Sequence, residues 1–211
     1  MKLLHISDTF GVFTDIPDDV SEYDVIVHSG NIAPNFRLKQ DLLRRIWRGD
    51  EEAAQCNWYF QFEDFWRAFI GHRAFLYVLG DRDIYDPGPL FRSWGLDAVN
   101  VHHEPLEIDG VLFRGWHHVN KPEADMTGMI QKMLEHDMLL CKTDVLVSHA
   151  PMAGVLDNGH GIKEFGPMFD RLGSYKPRLL LHGHVSETFG EANYKGIHIS
   201  NAATGWRAIQ L

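Results

Sequence analysis

The chain is poor in cysteine. Only Cys56 and Cys141 occur in 211 residues, and their spacing follows neither a disulfide framework nor a thiolate metal motif. Such usage suits a reducing compartment, with two buried free thiols as the plain expectation. Long apolar runs are missing too. His5 and Asp8 interrupt the first hydrophobic stretch before it reaches signal-peptide length, and no later segment is long enough to span a bilayer. The sequence therefore predicts no membrane association and a cytoplasmic location. Basic residues are in short supply, with 20 Lys plus Arg against 29 Asp plus Glu and a formal charge of -9. A surface of that sign repels phosphate backbones, so non-specific nucleic-acid binding is not expected, although a local basic groove is compatible with it. No repeat or low-complexity linker divides the chain, and one domain over residues 1–211 is expected.

What the chain has is ordinary core material, 45% hydrophobic residues, and an excess of histidine, 13 in all. Histidine in that number permits metal chemistry or proton transfer without establishing either. Candidate strands are KLLHIS (2–7), DVIVHSG (24–30), AFLYVLG (74–80), DAVNVHH (97–103), DVLVSHAP (144–151) and RLLLHGH (178–184). Two hairpins interrupt them, LEIDGVLFRGW (106–116) turning at Asp109-Gly110 and ETFGEANYKGIHIS (187–200) turning near Lys195-Gly196. A mixed sheet follows from that pattern. Between Leu38 and His72 the periodicity predicts two helices broken near Gly49-Asp50. Their Trp47, Trp58, Phe62, Phe65, Trp66 and Phe69 form an aromatic stripe, read most simply as core or a packed cap, with ligand stacking as the alternative. The run RLKQDLLRR (37–45) reads as a solvated helix face.

Most of the strands end in polar residues. In an α/β sheet that is the pattern left when the carboxyl edge carries a site. Taken in order, the ends are SDTFG (7–11), HSGNIA (28–33), LGDRD (79–83), SHAP (148–151) and HGHVSE (182–187). In residue type, order and placement this series resembles the calcineurin-like metallophosphoesterases, with their Asp-x-His, Gly-Asp, Gly-Asn-His-Asp/Glu, later His and Gly-His-x-His motifs. The stretches LEIDGVLFRGW, SHAPMAGVLDNGHG, HGHVSETFG and ISNAA resemble the compact branch of metallophosphoesterase-domain-containing proteins. The resemblance spans essentially the whole chain. It implies an α/β fold, a four-layer αββα sandwich of two mixed β-sheets, with a two-metal site at the carboxyl edges.

In such a site a hydroxide held between two metals attacks phosphorus in line, and an anionic carboxylate must bridge the cations. The resemblance places the first ligand set at Asp8, Phe10, Asn31 and Ser186, of which only Asp8 is a strong ligand. Phe10 stands where a histidine is expected and fills the space of the first metal. The second set falls on Asn31, Asp81, His149 and His184, with Asp and Asn exchanged relative to the family. Through the Asn31 carbonyl, the Asp81 carboxylate and two imidazoles it suits at most one divalent transition metal, Mn, Zn or Fe, with Asp8 able to join. Where the family places a histidine near the leaving group, this chain has Arg82, which is no general acid at neutral pH but suits a phosphate or a carboxylate. Asp8, Arg82 and Asp83 are the candidate catalytic groups. A metal-free alternative sets Arg82 among Asp8, Asp81 and Asp83 as an internal ion pair.

His5, His28 and His182 read either as partners that orient ligands or as satisfied core histidines. His160, in DNGHG, lies on a glycine-rich loop that can approach a phosphate or simply face solvent, and the pairs His102-His103 and His117-His118 read as solvated turns, with His117 facing the cleft as the alternative. Two functional readings stand side by side. One is an impaired or inactive homologue that binds a phosphate-containing small molecule or a protein partner. The other is a single-metal phosphodiesterase acting on phosphate esters such as nucleotides.

Overall fold

In a computed structural model, which describes residues 1–14, 16, 17, 19–36, 48–116, 132 and 135–211, side-chain alternation along β1 (Lys2–Ser7) sets the layering. Leu4 and Ile6 pack toward helices, while Leu3 packs between two sheets. That is the period of two along a strand buried on both faces.

The described residues form a five-stranded sheet and a six-stranded sheet. The first joins β1 in parallel to β2 (Val25–His28), and continues in parallel through β3 (Ala74–Tyr77) and β4 (Ala98–Asn100). Its last strand, β11 (Gly205–Gln210), runs antiparallel to β1. In the second sheet β6 (Val111–Trp116), β7 (Val145–Ser148), β8 (Leu179–His182) and β10 (Ile197–Asn201) are parallel. The flanking β5 (Leu106–Ile108) and β9 (Gly190–Tyr194) are antiparallel, each closing a hairpin. Both turns fall where expected, with Asp109 and Gly110 at φ 50° and 76° and Lys195 and Gly196 at φ 49° and 85°. Strand β11 is an addition that the sequence reading did not contain.

Three apolar clusters separate four layers. Between the sheets, Leu3, Val25, Val27 and Leu76 meet Phe113, Val145, Val147 and Leu181. Outside the first sheet, Ile26, Phe75 and Tyr77 pack on the helical cap, and outside the second, Leu146, Leu180 and Ile199 pack on α4 (Phe165–Leu172). The chain is thus an α/β two-sheet sandwich with helices on its outer faces.

The cap is built from α1 (Arg48–Gln61), α2 (Glu63–Ile70) and α3 (Gly88–Ser93). Its centre is Trp66, fully buried and within 6.0 Å, ring to ring, of Tyr59, Phe75 and Phe91. Phe65 and Phe69 stack at 5.5 Å beside it, so the aromatic stripe is core, whereas Phe62 is exposed. Helix α1 begins at Arg48, beside the expected break at Gly49-Asp50, and the residues before it lie outside the described ones; a further break, which the sequence reading did not contain, falls at Phe62. Gly49 sits in the first turn of α1, where a glycine interrupts few hydrogen bonds, while Phe62 at φ -110° and ψ 24° leaves the helical region. The thiol expectation is also corrected. Cys56 is only partly buried and Cys141, at the end of a helical turn whose Leu139 and Leu140 face solvent, is exposed. Trp47, the run 37–45, His117 and His118 lie outside the described residues. Among the described residues no helix is long and apolar enough to cross a membrane.

Candidate functional site

Five strands deliver the candidate residues to one end of the sandwich. Asp8 follows β1, Asn31 follows β2, Asp81 to Asp83 follow β3, His149 follows β7 and His184 follows β8. The loops are tight enough to force Asp8, Phe10, Asn31, His184 and Thr204 into left-handed backbone conformations, φ 47° to 72°. Strain of this kind in non-glycine residues collects where side chains must be aimed. Two glycines make room for Asp8 and Asn31: a Cβ on Gly183 would overlap Ser7 Oγ and the Asp8 carboxylate, and one on Gly80 would overlap the Asn31 amide.

The cleft, of about 170 Å³, is lined by Asp8, Phe10, Asn31, Asp81, Arg82, His184, Ser186, Ala203 and Thr204. Asp8 is nearly buried. Its Oδ2 accepts from Ser7 Oγ at 2.8 Å and from the His184 backbone N–H at 2.7 Å. Its Oδ1 accepts from Asn31 Nδ2 at 2.9 Å. The same Nδ2 donates to Asp81 Oδ1 at 3.0 Å and lies 3.1 Å from His149 Nε2. The Asn31 carbonyl oxygen faces the other way and accepts the Arg82 N–H at 2.9 Å. The amide nitrogen, not the oxygen, therefore meets the carboxylates.

His149 is fully buried, and its Nδ1 donates to the Ser29 carbonyl at 2.9 Å. That bond leaves Nε2 facing Asp81 Oδ1 at 3.2 Å and His184 Nδ1 at 3.2 Å. Burial pulls the imidazole down, but the hydrogen bond to Asp81 and the charge of Asp8 outweigh it and raise His149 above the usual histidine value. His184 is lowered, first by burial and then by His149. For Asp81 burial acts upward, yet hydrogen bonds from His149 and Asn31 and the nearby charges of His149 and Arg82 hold its carboxyl well below the ordinary range. Arg82 Nε pairs with Asp81 Oδ2 at 2.9 Å, and its side chain is 36% exposed along the cleft.

Asp83 has a different place. Its two oxygens accept backbone N–H groups of Asn31 at 2.7 Å, Gly80 at 2.9 Å, Ile32 at 3.0 Å and Ala33 at 3.2 Å. It binds the loop after β2 to the loop after β3 and does not line the cleft. Burial raises its carboxyl above the usual value against the pull of those donors. Gln55, on α1, does similar work and was not visible as a site residue in the sequence. It is 1% exposed, donates to the Arg82 carbonyl at 2.9 Å and the Pro34 carbonyl at 3.3 Å, and accepts from Ile84 N–H at 2.7 Å and Tyr85 N–H at 3.0 Å.

The remaining histidines divide. His28 accepts the Gly30 N–H at Nδ1, so its Nε2 donates to Thr9 Oγ1 at 3.0 Å and steadies the turn after β1. His5 is locked between the Ser29 and Ser200 hydroxyls at 3.0 and 2.9 Å. His182 is buried with Nδ1 3.1 Å from the Gly183 carbonyl oxygen. His160 places its ring 6.0 Å from His184, at the rim of the cluster, and His102 packs at 4.9 Å on His103.

Can these residues hold metal? Asp81, His149 and His184 offer three ligand atoms within 4.8 Å of one another. Their separations of 3.2, 3.2 and 3.8 Å match those of neighbouring ligands on one ion bound at about 2.0–2.2 Å. The donor set fits a single divalent ion. A second ion does not fit: Phe10 offers no donor, Ser186 a neutral hydroxyl, and the bridging position is an N–H donor.

No family model matches the sequence, and no curated protein matches it. Solved structures do resemble it. Phosphopantetheinyl hydrolase from Mycobacterium tuberculosis superposes with a TM-score of 0.57 at 14% identity, covering 97% of this chain and 89% of that one. GAP50, the anchor in the inner membrane complex of Plasmodium, gives a TM-score of 0.52 at 12% identity, over 97% of this chain and 72% of its own. At such identities the likeness speaks for the fold alone, and the fold is phosphoesterase-like.

Proposed function

We propose that the cleft binds a phosphate-containing ligand, holds at most one transition metal (Mn, Zn or Fe) on Asp81, His149 and His184, and has lost two-metal phosphoester hydrolysis. The observation that carries this reading is the Asn31 amide nitrogen between Asp8 and Asp81. An N–H donor at the bridging position satisfies both carboxylates directly and repels a cation that would take its place. Arg82 supplies the rest. Its guanidinium offsets Asp81 and presents further donors to the cleft, which suits the oxygens of a phosphate.

Fold alone supports either outcome, since proteins of this architecture include both a phosphopantetheinyl hydrolase and an anchor protein. A second reading, residual hydrolysis of phosphate esters with one metal, rests on the three-ligand cluster. When bound there, the metal would supply Lewis acidity. Asp81 would be held for it by Arg82, and His149 by the Ser29 carbonyl.

Elemental analysis of protein loaded with Mn or Zn, beside an assay of an aryl phosphodiester, separates the two. One metal or none per chain with negligible turnover is expected. Two metals at full occupancy refute the proposal, and turnover that His149→Ala abolishes favours the second reading.

A further inference from the structure

Strand β11 leaves a row of backbone groups at a free edge. The Leu211 N–H donates to the Met1 carbonyl at 3.0 Å, and the Met1 amino group donates back to Leu211 at 3.4 Å. Antiparallel pairing alternates, and the register sets Leu3 opposite Ile209 and His5 opposite Arg207, so these residues also turn their backbone groups toward each other. The far side of β1 agrees, because Asp24 and Ser29 of the β2 segment donate to the carbonyls of Lys2 and Ile6. The N–H and C=O groups of Trp206, Ala208 and Gln210 therefore point out of the sheet, and among the described residues no strand answers them.

Edges are usually blunted by shortness, proline, charge or bulges. Edge strands β4 and β5 have three residues each, and β9 carries Glu191 beside His198. Strand β11 has six residues, no proline and one charge. That charge, Arg207, is directed away from the edge, its guanidinium 4.2 Å from the Phe189 ring. The outward residues are uncharged and exposed, Trp206 at 38%.

We propose that β11 pairs antiparallel with β11 of a second copy of this chain, about a twofold axis at Ala208, so that the two first sheets become continuous. A twofold copy fits the edge on two counts. Centred on Ala208, the pairing sets Trp206 of one copy opposite Gln210 of the other, and every outward N–H and C=O of the three residues gains a partner. Arg207 falls opposite Ile209, so no like charges meet, and an uncharged edge is where a chain of formal charge -9 least repels itself. The inference is independent of how the cleft is read.

Sedimentation velocity over roughly 1 to 100 µM, the range for small interfaces, tests it. The natural chain is expected to shift from monomer to dimer as concentration rises. Hydrogen exchange at the amides of Trp206, Ala208 and Gln210 is expected to slow in step. Ala208→Pro removes an outward N–H and no bond to β1, and should weaken association about tenfold or more. Ala208→Lys keeps the N–H but brings two like charges together on the axis, so it decides the matter if the proline variant does not fold. A monomer at every concentration overturns the proposal, as does a dimer that the folded variants leave intact.

Discussion

The backbone N–H of Arg82 donates to Oδ1 of Asn31 at 2.9 Å, and this one bond decides which end of the Asn31 amide meets the acids. Turned the other way, the amide would set its oxygen against two carboxylates and an N–H against an N–H. The orientation makes Asn31 a stand-in for positive charge between Asp8 and Asp81.

Asn31→Asp reverses that arrangement. A third carboxylate beside Asp8 and Asp81 repels both, and in chelator the variant should lose about 1 to 3 kcal/mol of stability. Added Mn or Zn should restore much of the loss, because an ion that binds only the folded state stabilises it. Thermal melts with and without metal check this. Equal destabilisation in both conditions would mean that the amide does not stand in for a cation.

Gln55→Leu tests the support behind the cleft. The change keeps most of the side-chain volume but strands the N–H groups of Ile84 and Tyr85 and the carbonyl of Arg82. A loss of about 3 kcal/mol or more is expected, against under about 0.5 for Gln61→Leu at the exposed end of the same helix. Urea titration gives both numbers. Binding of inorganic phosphate should weaken in the Gln55 variant if Arg82 contributes to it.

The contrast between Asn31 and Gln55 marks how far the sequence was legible. Strand periodicity and the Asp109-Gly110 and Lys195-Gly196 turns are local signals, and the strands and hairpins they announce are present. The polar strand ends gather as their motifs imply, with Asp8, Asn31, Asp81, His149 and His184 in one cluster. The work of Gln55 and Asp83 was hidden because their partners are backbone groups, which look alike at every position. The direction of the Asn31 amide depends on a donor 51 residues away in sequence. The helix break at Phe62 has no glycine or proline to announce it.

Three buried histidines predict acid sensitivity. Burial lowers His5 well below 6.5, His28 to about 3 and His182 to about 4. Below pH 6.5 the unfolded chain takes up protons that these folded imidazoles refuse, so stability falls with pH until about 4 for His182 and about 3 for His28. Each contributes a slope of at most about 1.4 kcal/mol per pH unit. His149, raised by Asp81 and Asp8, works the other way: its contribution is complete below 6.5 and is lost as pH rises through its folded value. Stability should therefore peak near pH 6.5. Denaturant melts at roughly pH 5, 6, 7 and 8 would show the peak, and His28→Gln should flatten the acid limb by about one proton. A flat profile from pH 5 to 8 would contradict the burial of these rings.

Phe10 offers the final test, because the proposed loss of two-metal hydrolysis is a coupled one. The ring lines the cleft beside Asp8 and Asn31, and the Phe10 N–H donates to the backbone carbonyl of Asn31 at 2.9 Å. Phe10→His alone supplies an imidazole with no completed ligand set, since Asn31 still presents its amide nitrogen and Ser186 its hydroxyl. It should cost about 1 to 3 kcal/mol through lost packing and gain no activity. Phe10→His, Asn31→Asp, Asp81→Asn, Arg82→His and Ser186→His together should raise the metal count to two and bring up phosphodiester hydrolysis. The gain should far exceed the sum of the single changes, as for any groups that act as a unit. Metal analysis and turnover of the fivefold variant read the two outcomes separately. Two metals without hydrolysis would place the remaining loss in the walls of the cleft, whereas activity from Phe10→His alone would show that the ligand assignment, with Asn31 and Ser186 leaving the first set incomplete, is the wrong one.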